Sequence, residues 1–153
     1  RGDDRMYTLD LAARCPEHNR GGHRGLHTRV YRMINVRRAE HYRWGEKCDG
    51  WHLVRGADMS VIEERMPAGA AEIAHWYRHS RQFFYVLVGQ LVVEVDGICH
   101  QLGAGDGMEI APQELHKVWN ESQEDVRFLV VSVPPSHGDR SPAPPEYRST
   151  RRP

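Results

Sequence analysis

The side chains of this chain best suited to chemistry are imidazoles, and two of them, His75 and His116, sit in segments able to hold them. His75 lies within residues 67–89, PAGAAEIAHWYRHSRQFFYVLVG, where an imidazole-bearing run leads into a strongly β-prone one. His116 lies near the end of a second turn-and-strand unit, residues 105–120, GDGMEIAPQELHKVWN. Neutral imidazole nitrogens brought together inside a small barrel suit Fe, Ni, Cu and Zn, and a dry pocket strengthens the field at the ion. A single buried histidine is as readily a hydrogen-bonded core residue, so the pair has to converge before it means anything.

The conformation of residues 70–79 decides what stands beside His75. As a helix, AAEIAHWYRH would put His75 and His79 at i, i+4 on one face, yet no Glu follows His75 and the zinc-protease pattern His-Glu-x-x-His is absent. As an extended chain, His75 and Tyr77 share one face and Trp76 takes the other. The extended reading is preferred, because QFFYVLV at 82–88 reads as a strand and only Ser80 and Arg81 connect the two. Glu72, three residues before His75, is either a general base at the mouth of a pocket or a solvated charge. His79 reads as a turn residue, His41 and His52 as edge imidazoles, and His137 has no assigned chemistry. Ser132 and Ser136 lack the His/Asp setting of a nucleophile.

The elements that must position these groups are short strands. Ile34 to Val36 reads as a strand, GEKCDG between Trp44 and Trp51 as a loop, and Trp51 to Val54 as the next strand. Met59 to Met66 forms another, in which one of Glu63 and Glu64 must face inward unless the strand is an edge. Strands follow at 82–88, at 91–95 and 98–102 around the Asp96-Gly97 hairpin turn, at 108–110, 115–119 and 126–133. Many short strands between Gly, Pro and Asp turns, with almost no helical period, predict an all-β sandwich or barrel.

The ends differ in character. Residues 1–32 carry Arg1, Arg5, Arg14, Arg20, Arg24, Arg29 and Arg32, a Gly21-Gly22 pair and little apolar periodicity, so they are predicted to be a weakly structured leader. One compact domain is expected over 33–138. Residues 139–153, rich in Pro, Arg and Ser, are predicted to be a disordered tail.

Composition narrows the partners. A chain of 153 residues supports one domain with a real core. Lys and Arg number 21 against 21 Asp and Glu, so no net field draws it to nucleic acid or to an anionic membrane. A small-molecule ligand or substrate is the expected partner, and exposed sheet edges suggest a homodimer. Cys15, Cys48 and Cys99 form no Cys-x-x-Cys pair and read as reduced thiols of a cytoplasmic protein. No apolar run approaches the roughly 20 residues of a membrane span.

The two histidine segments resemble the paired motifs of the cupin superfamily, Gly-x5-His-x-His-x3,4-Glu-x6-Gly and Gly-x5-Pro-x-Gly-x2-His-x3-Asn. Gly69, His75 and Gly89 fall on the first motif, and His116 and Asn120 on the second, with Pro112 one residue closer than usual. Asp106 resembles the turn acid of the second motif. The resemblance implies a double-stranded β-helix, or jelly roll, with a divalent transition metal (Zn, Fe, Mn or Ni) at the barrel mouth. The metal positions implied by it are His75, Tyr77, Gln82 and His116. Tyr77 stands where the family has its second His and Gln82 where it has Glu, so weaker affinity or fewer ligands are expected. Two functions follow from the resemblance. In one, a metal-dependent enzyme acts on a sugar acid or similar metabolite, with Glu72 or Tyr77 shuttling a proton. In the other, a metal-free barrel binds a small molecule as a sensor, with His75, Gln82 and His116 hydrogen-bonding it.

Overall fold

A computed structural model describes residues 33–148. The leader reading of residues 1–32 and the end of the tail, 149–153, lie outside the described residues. The elements are β1 (Glu40–Trp44), β2 (Cys48–Arg55), β3 (Ser60–Met66), β4 (His75–Tyr77), β5 (Arg81–Val88), β6 (Gln90–Val95), β7 (Ile98–Gly103), β8 (Gly107–Ile110), β9 (His116–Trp119), β10 (Val126–Val133) and β11 (Arg140–Pro142). Among the described residues there is no helix, and thus none long and apolar enough to cross a membrane.

Two antiparallel sheets face each other, one in the order β1-β2-β3-β10-β5-β8 and the other β11-β4-β9-β6-β7. This is the jelly-roll architecture expected for a double-stranded β-helix. Strict alternation of burial makes it possible. On β5, Gln82, Phe84 and Val86 are buried while Arg81, Phe83 and Tyr85 face out; on β10, Val126, Phe128, Val130 and Ser132 are buried. The core gathers Phe84, Val86, Leu91, Val93, Val118 and Phe128 from both sheets.

Turns close the frame at defined points. Gly89 has φ +84°, and a Cβ there would lie 2.8 Å from the carbonyl oxygen of Asp125, so the chain reverses only because glycine lets two backbones touch. Asp106 accepts from the Gly103 amide at 2.8 Å, the structural turn role expected of it. Asn120 is buried and donates to the carbonyls of Met66 (2.9 Å) and Glu124 (2.7 Å). Its side-chain oxygen accepts from the Ser122 amide, which makes it a strut between β9 and β3.

Three expectations need correction. Residues 34–36 form no strand; a turn in which the Arg38 amide donates to the Asn35 carbonyl leads into β1, which starts at Glu40 rather than at Ile34. Cys48, Asp49 and Gly50, read as loop, already belong to β2, because all three pair with β1, and Asp49 and Gly50 pair with β3 as well. The third concerns the tail. Arg140–Pro142 is a strand paired with β4, and the Asp139 carboxylate accepts from the amides of His79 and Ser80, both at 2.8 Å. A segment with no packing face of its own is ordered by the open edge of β4, and Pro142 is tolerated because only one neighbour is paired there. The packed region therefore runs past 138, at least to Tyr147, whose hydroxyl donates to the buried Glu94 carboxylate.

Candidate functional site

β4 and β9 are neighbours in one sheet, and their single paired position sets His75 directly opposite His116. The two rings lie 4.4 Å apart between centroids, and the phenol of Tyr77, two residues along the same face of β4, packs edge-on to His75 at 5.0 Å and beside His116 at 5.9 Å. Gln82 reaches the site from β5 in the other sheet. Sequence reasoning named these four residues, and the barrel brings His75, Tyr77 and His116 into ring contact, with Gln82 and Tyr77 lining one cavity of about 330 Å³.

The hydrogen bonds decide what the imidazoles can offer. His75 Nδ1 sits 3.0 Å from the carbonyl oxygen of Ile73, and His116 Nδ1 3.0 Å from that of Glu114. A carbonyl only accepts, so both Nδ1 atoms carry the proton and both Nε2 atoms keep a bare lone pair. Burial, with the neighbouring His116 and the Arg140 charge adding to it, pushes His75 down to about 3, and burial likewise lowers His116. Both rings are neutral at physiological pH. His116 Nε2 is buried without a partner, and so is Gln82 Oε1, whose amide nitrogen donates to Ser132 at 3.2 Å. Two buried acceptors left without partners are expensive unless something fills them.

Above the imidazoles the cavity is acidic. Its wall includes Tyr42, Glu64, Glu72, Tyr77, Gln82 and Arg140, and the two histidines adjoin it through Tyr77, whose ring contacts both. Glu72 accepts from Arg140 at 3.0 Å and stands 3.6 Å from His75 Nδ1; burial raises its carboxyl to about 7 against the pull of Arg140. Glu64 accepts from the Tyr42 hydroxyl at 3.3 Å, and burial followed by the Glu72 charge pushes it up to about 8. Tyr77 is raised well above the usual phenol range by burial and then by Glu72, so it remains a neutral phenol. The pocket thus holds two carboxyls poised near neutrality beside one guanidinium.

Tyr42 and Arg140 were not named from the sequence, and Glu64 only as one of two candidates for an inward charge. The alternation in Met59 to Met66 required one carboxylate to face in, and it is Glu64, while Glu63 turns out to pair with Arg127. Nothing in the local pattern signals Arg140, which arrives on a strand formed only by pairing with β4. His79 stays outside the site, exposed, with its amide held by Asp139.

Among the described residues no three His, Cys, Asp or Glu side chains gather as a ready metal cluster. The donors present still suit a divalent transition ion. Two neutral imidazole nitrogens and one amide oxygen are open, and a phenol lies in ring contact with both imidazoles. None of them is anionic, which predicts weaker binding than a set containing a carboxylate.

Comparison with known proteins agrees with this geometry. Residues 62–132 match the Cupin domain family. An uncharacterized protein of Methanocaldococcus jannaschii is 28% identical over 89 residues, covering 58% of this chain and 71% of that protein. An uncharacterized conserved protein with a double-stranded β-helix domain from Klebsiella pneumoniae superposes with a TM-score of 0.63 at 20% identity, over 75% of this chain and 99% of that one. A sugar phosphate isomerase of the cupin superfamily from Silicibacter pomeroyi gives a TM-score of 0.59 at 18% identity, over 67% of this chain and 75% of that one. With two facing antiparallel sheets and a segment running from β3 to β10 that matches the Cupin domain model, the chain carries a cupin-like segment over residues 62–132 in a double-stranded β-helix fold.

Proposed function

We infer that the polar end of the barrel holds a divalent transition-metal ion (Zn, Fe, Mn or Ni) through Nε2 of His75 and His116, with Gln82 and Tyr77 completing the set. The cavity beside it then takes a small polar metabolite such as a sugar acid. The observation that carries this reading is the pair of buried, unpartnered acceptors, His116 Nε2 and Gln82 Oε1, beside a second imidazole whose Nδ1 proton is already spent on a carbonyl. A bound ion would supply Lewis-acid polarisation of a carbonyl or enediol oxygen. Glu72, near neutrality and oriented by Arg140, is the group best placed to take or return a proton at the cavity wall. Tyr77, held as a phenol, donates a hydrogen bond rather than a charge. The likeness to a sugar phosphate isomerase is one of fold and supports the metabolite class only through the shared barrel.

A second reading, a metal-free binding module, is favoured by one observation, the lack of any anionic donor among the four residues. Elemental analysis of the purified full chain separates the two. The metal reading expects about one Fe, Ni, Mn or Zn per chain, lost in His75→Ala and in His116→Ala without loss of fold. Metal-free wild-type protein, or equal metal content in both variants, would reject it and leave the binding module.

A further inference from the structure

Successive residues of a strand face opposite ways, so Lys117 points away from the imidazole site that His116 enters. It is only 8% exposed, and its ammonium lies 5.5 Å from the centroid of the Trp119 ring. Its cross-strand neighbour Glu94 is fully buried, with a carboxylate that already accepts from the Tyr147 hydroxyl and, at 3.9 Å, from the Cys99 thiol. Among the described residues no carboxylate forms an ion pair with Lys117. With most of its side chain covered, this ammonium keeps only part of its water, and the face of an indole replaces the rest incompletely.

The open side of Lys117 is a cleft of about 680 Å³, walled by Ala70, Ala74, Ala143 and Tyr147 and separated from the barrel cavity by Ala71, Glu72 and Ile73, which line both. Its other charged groups are Lys47, Glu46 and Glu72. Glu72 is engaged by Arg140, and Glu46 and Lys47 lie on the exposed β1–β2 turn, where water screens them. Lys117 is the one charged residue in this wall whose side chain is largely covered and has no ion-pair partner among the described residues. We propose that the cleft is a binding site for a small organic anion, a carboxylate or a phosphate monoester, whose charge is taken by Lys117 Nζ while its carbon skeleton rests on the alanine wall. The site is independent of any metal at His75 and His116.

Calorimetric titration of the full chain at low ionic strength, with inorganic phosphate and separately with acetate, tests the proposal. Saturable binding of one probe is expected, weakened about tenfold or more by Lys117→Met, retained by Lys117→Arg and unchanged by His75→Ala. Tighter phosphate binding identifies a phosphate monoester as the ligand class, and tighter acetate binding a carboxylate. Equal affinity in wild type and Lys117→Met, or no saturable binding of either probe, overturns it. Should Lys117→Met fail to fold, Ala143→Leu narrows the cleft without touching the ammonium, and unaltered binding in that variant overturns the proposal equally.

Discussion

The two ends of the barrel are built on the same strands and differ in almost everything else. Along β5 the inward side chains run Gln82, Phe84, Val86, and along its partner β10 they run Ser132, Val130, Phe128, Val126. The pleat does not change, yet the interior passes from polar to apolar within two residues. At the apolar end every inward group is satisfied by packing. At the polar end the interior holds an orphaned amide oxygen on β5, an orphaned imidazole nitrogen on β9 and two carboxyls pushed toward neutrality. A fold selected only for stability would extend Phe84 and Val130 outward, so the polar end is where this barrel gives up stability for a site.

The contrast can be broken most severely at its apolar end. Phe128→Ala empties a fully buried ring position and is expected to cost about 3–5 kcal/mol in denaturant unfolding. Gln82→Met at the polar end, removing an amide whose oxygen has no partner, is expected to stay within about 1 kcal/mol of wild type while metal content falls. Comparable losses in the two variants would erase the distinction.

Titration sharpens it further. Glu64 is raised from an ordinary 4.5 to about 8 in the folded protein, so the folded state holds more protons than the unfolded one between those values. The associated stability is complete below the unfolded pKa and is lost as pH rises through about 8. Metal-free wild type should therefore weaken in chemical denaturation between about pH 5 and pH 8. Glu64→Gln should flatten that slope; an unchanged slope would mean that Glu64 does not titrate in the folded barrel.

The smallest effect belongs outside both ends. Arg55 and Glu40 form a 2.7 Å ion pair that is well exposed on each side, and Arg55→Ala is expected to change stability by no more than about 0.5 kcal/mol in the same assay. A larger loss would show that the outer sheet face carries energy assigned here to the interior.

Much of the barrel was legible because its signals are local. Period-two alternation and Gly or Asp turns marked nearly every strand from β3 to β10, and the weak connection at Ser80-Arg81 sufficed to reject a helix at 70–79. Ile34 to Val36 misled because apolar alternation also occurs where no partner strand is available. Glu64 was half legible. Alternation demanded an inward carboxylate, but which of two adjacent acids faces in depends on the register with β10, set by residues sixty positions away, where Arg127 captures Glu63.

Taken alone, the order of amino acids determined the strands, the turns and which side of each strand is apolar, since these arise from neighbours a few residues apart. It determined also that His75 and Tyr77 share a face. Only the tertiary structure decided that His75 lies opposite His116, that Arg140 crosses to Glu72 on a strand lent by β4, and that Lys117 is largely covered with no ion pair among the described residues. Those outcomes depend on register between strands distant in the chain, which is chosen by the packing of the whole interior and leaves no local trace.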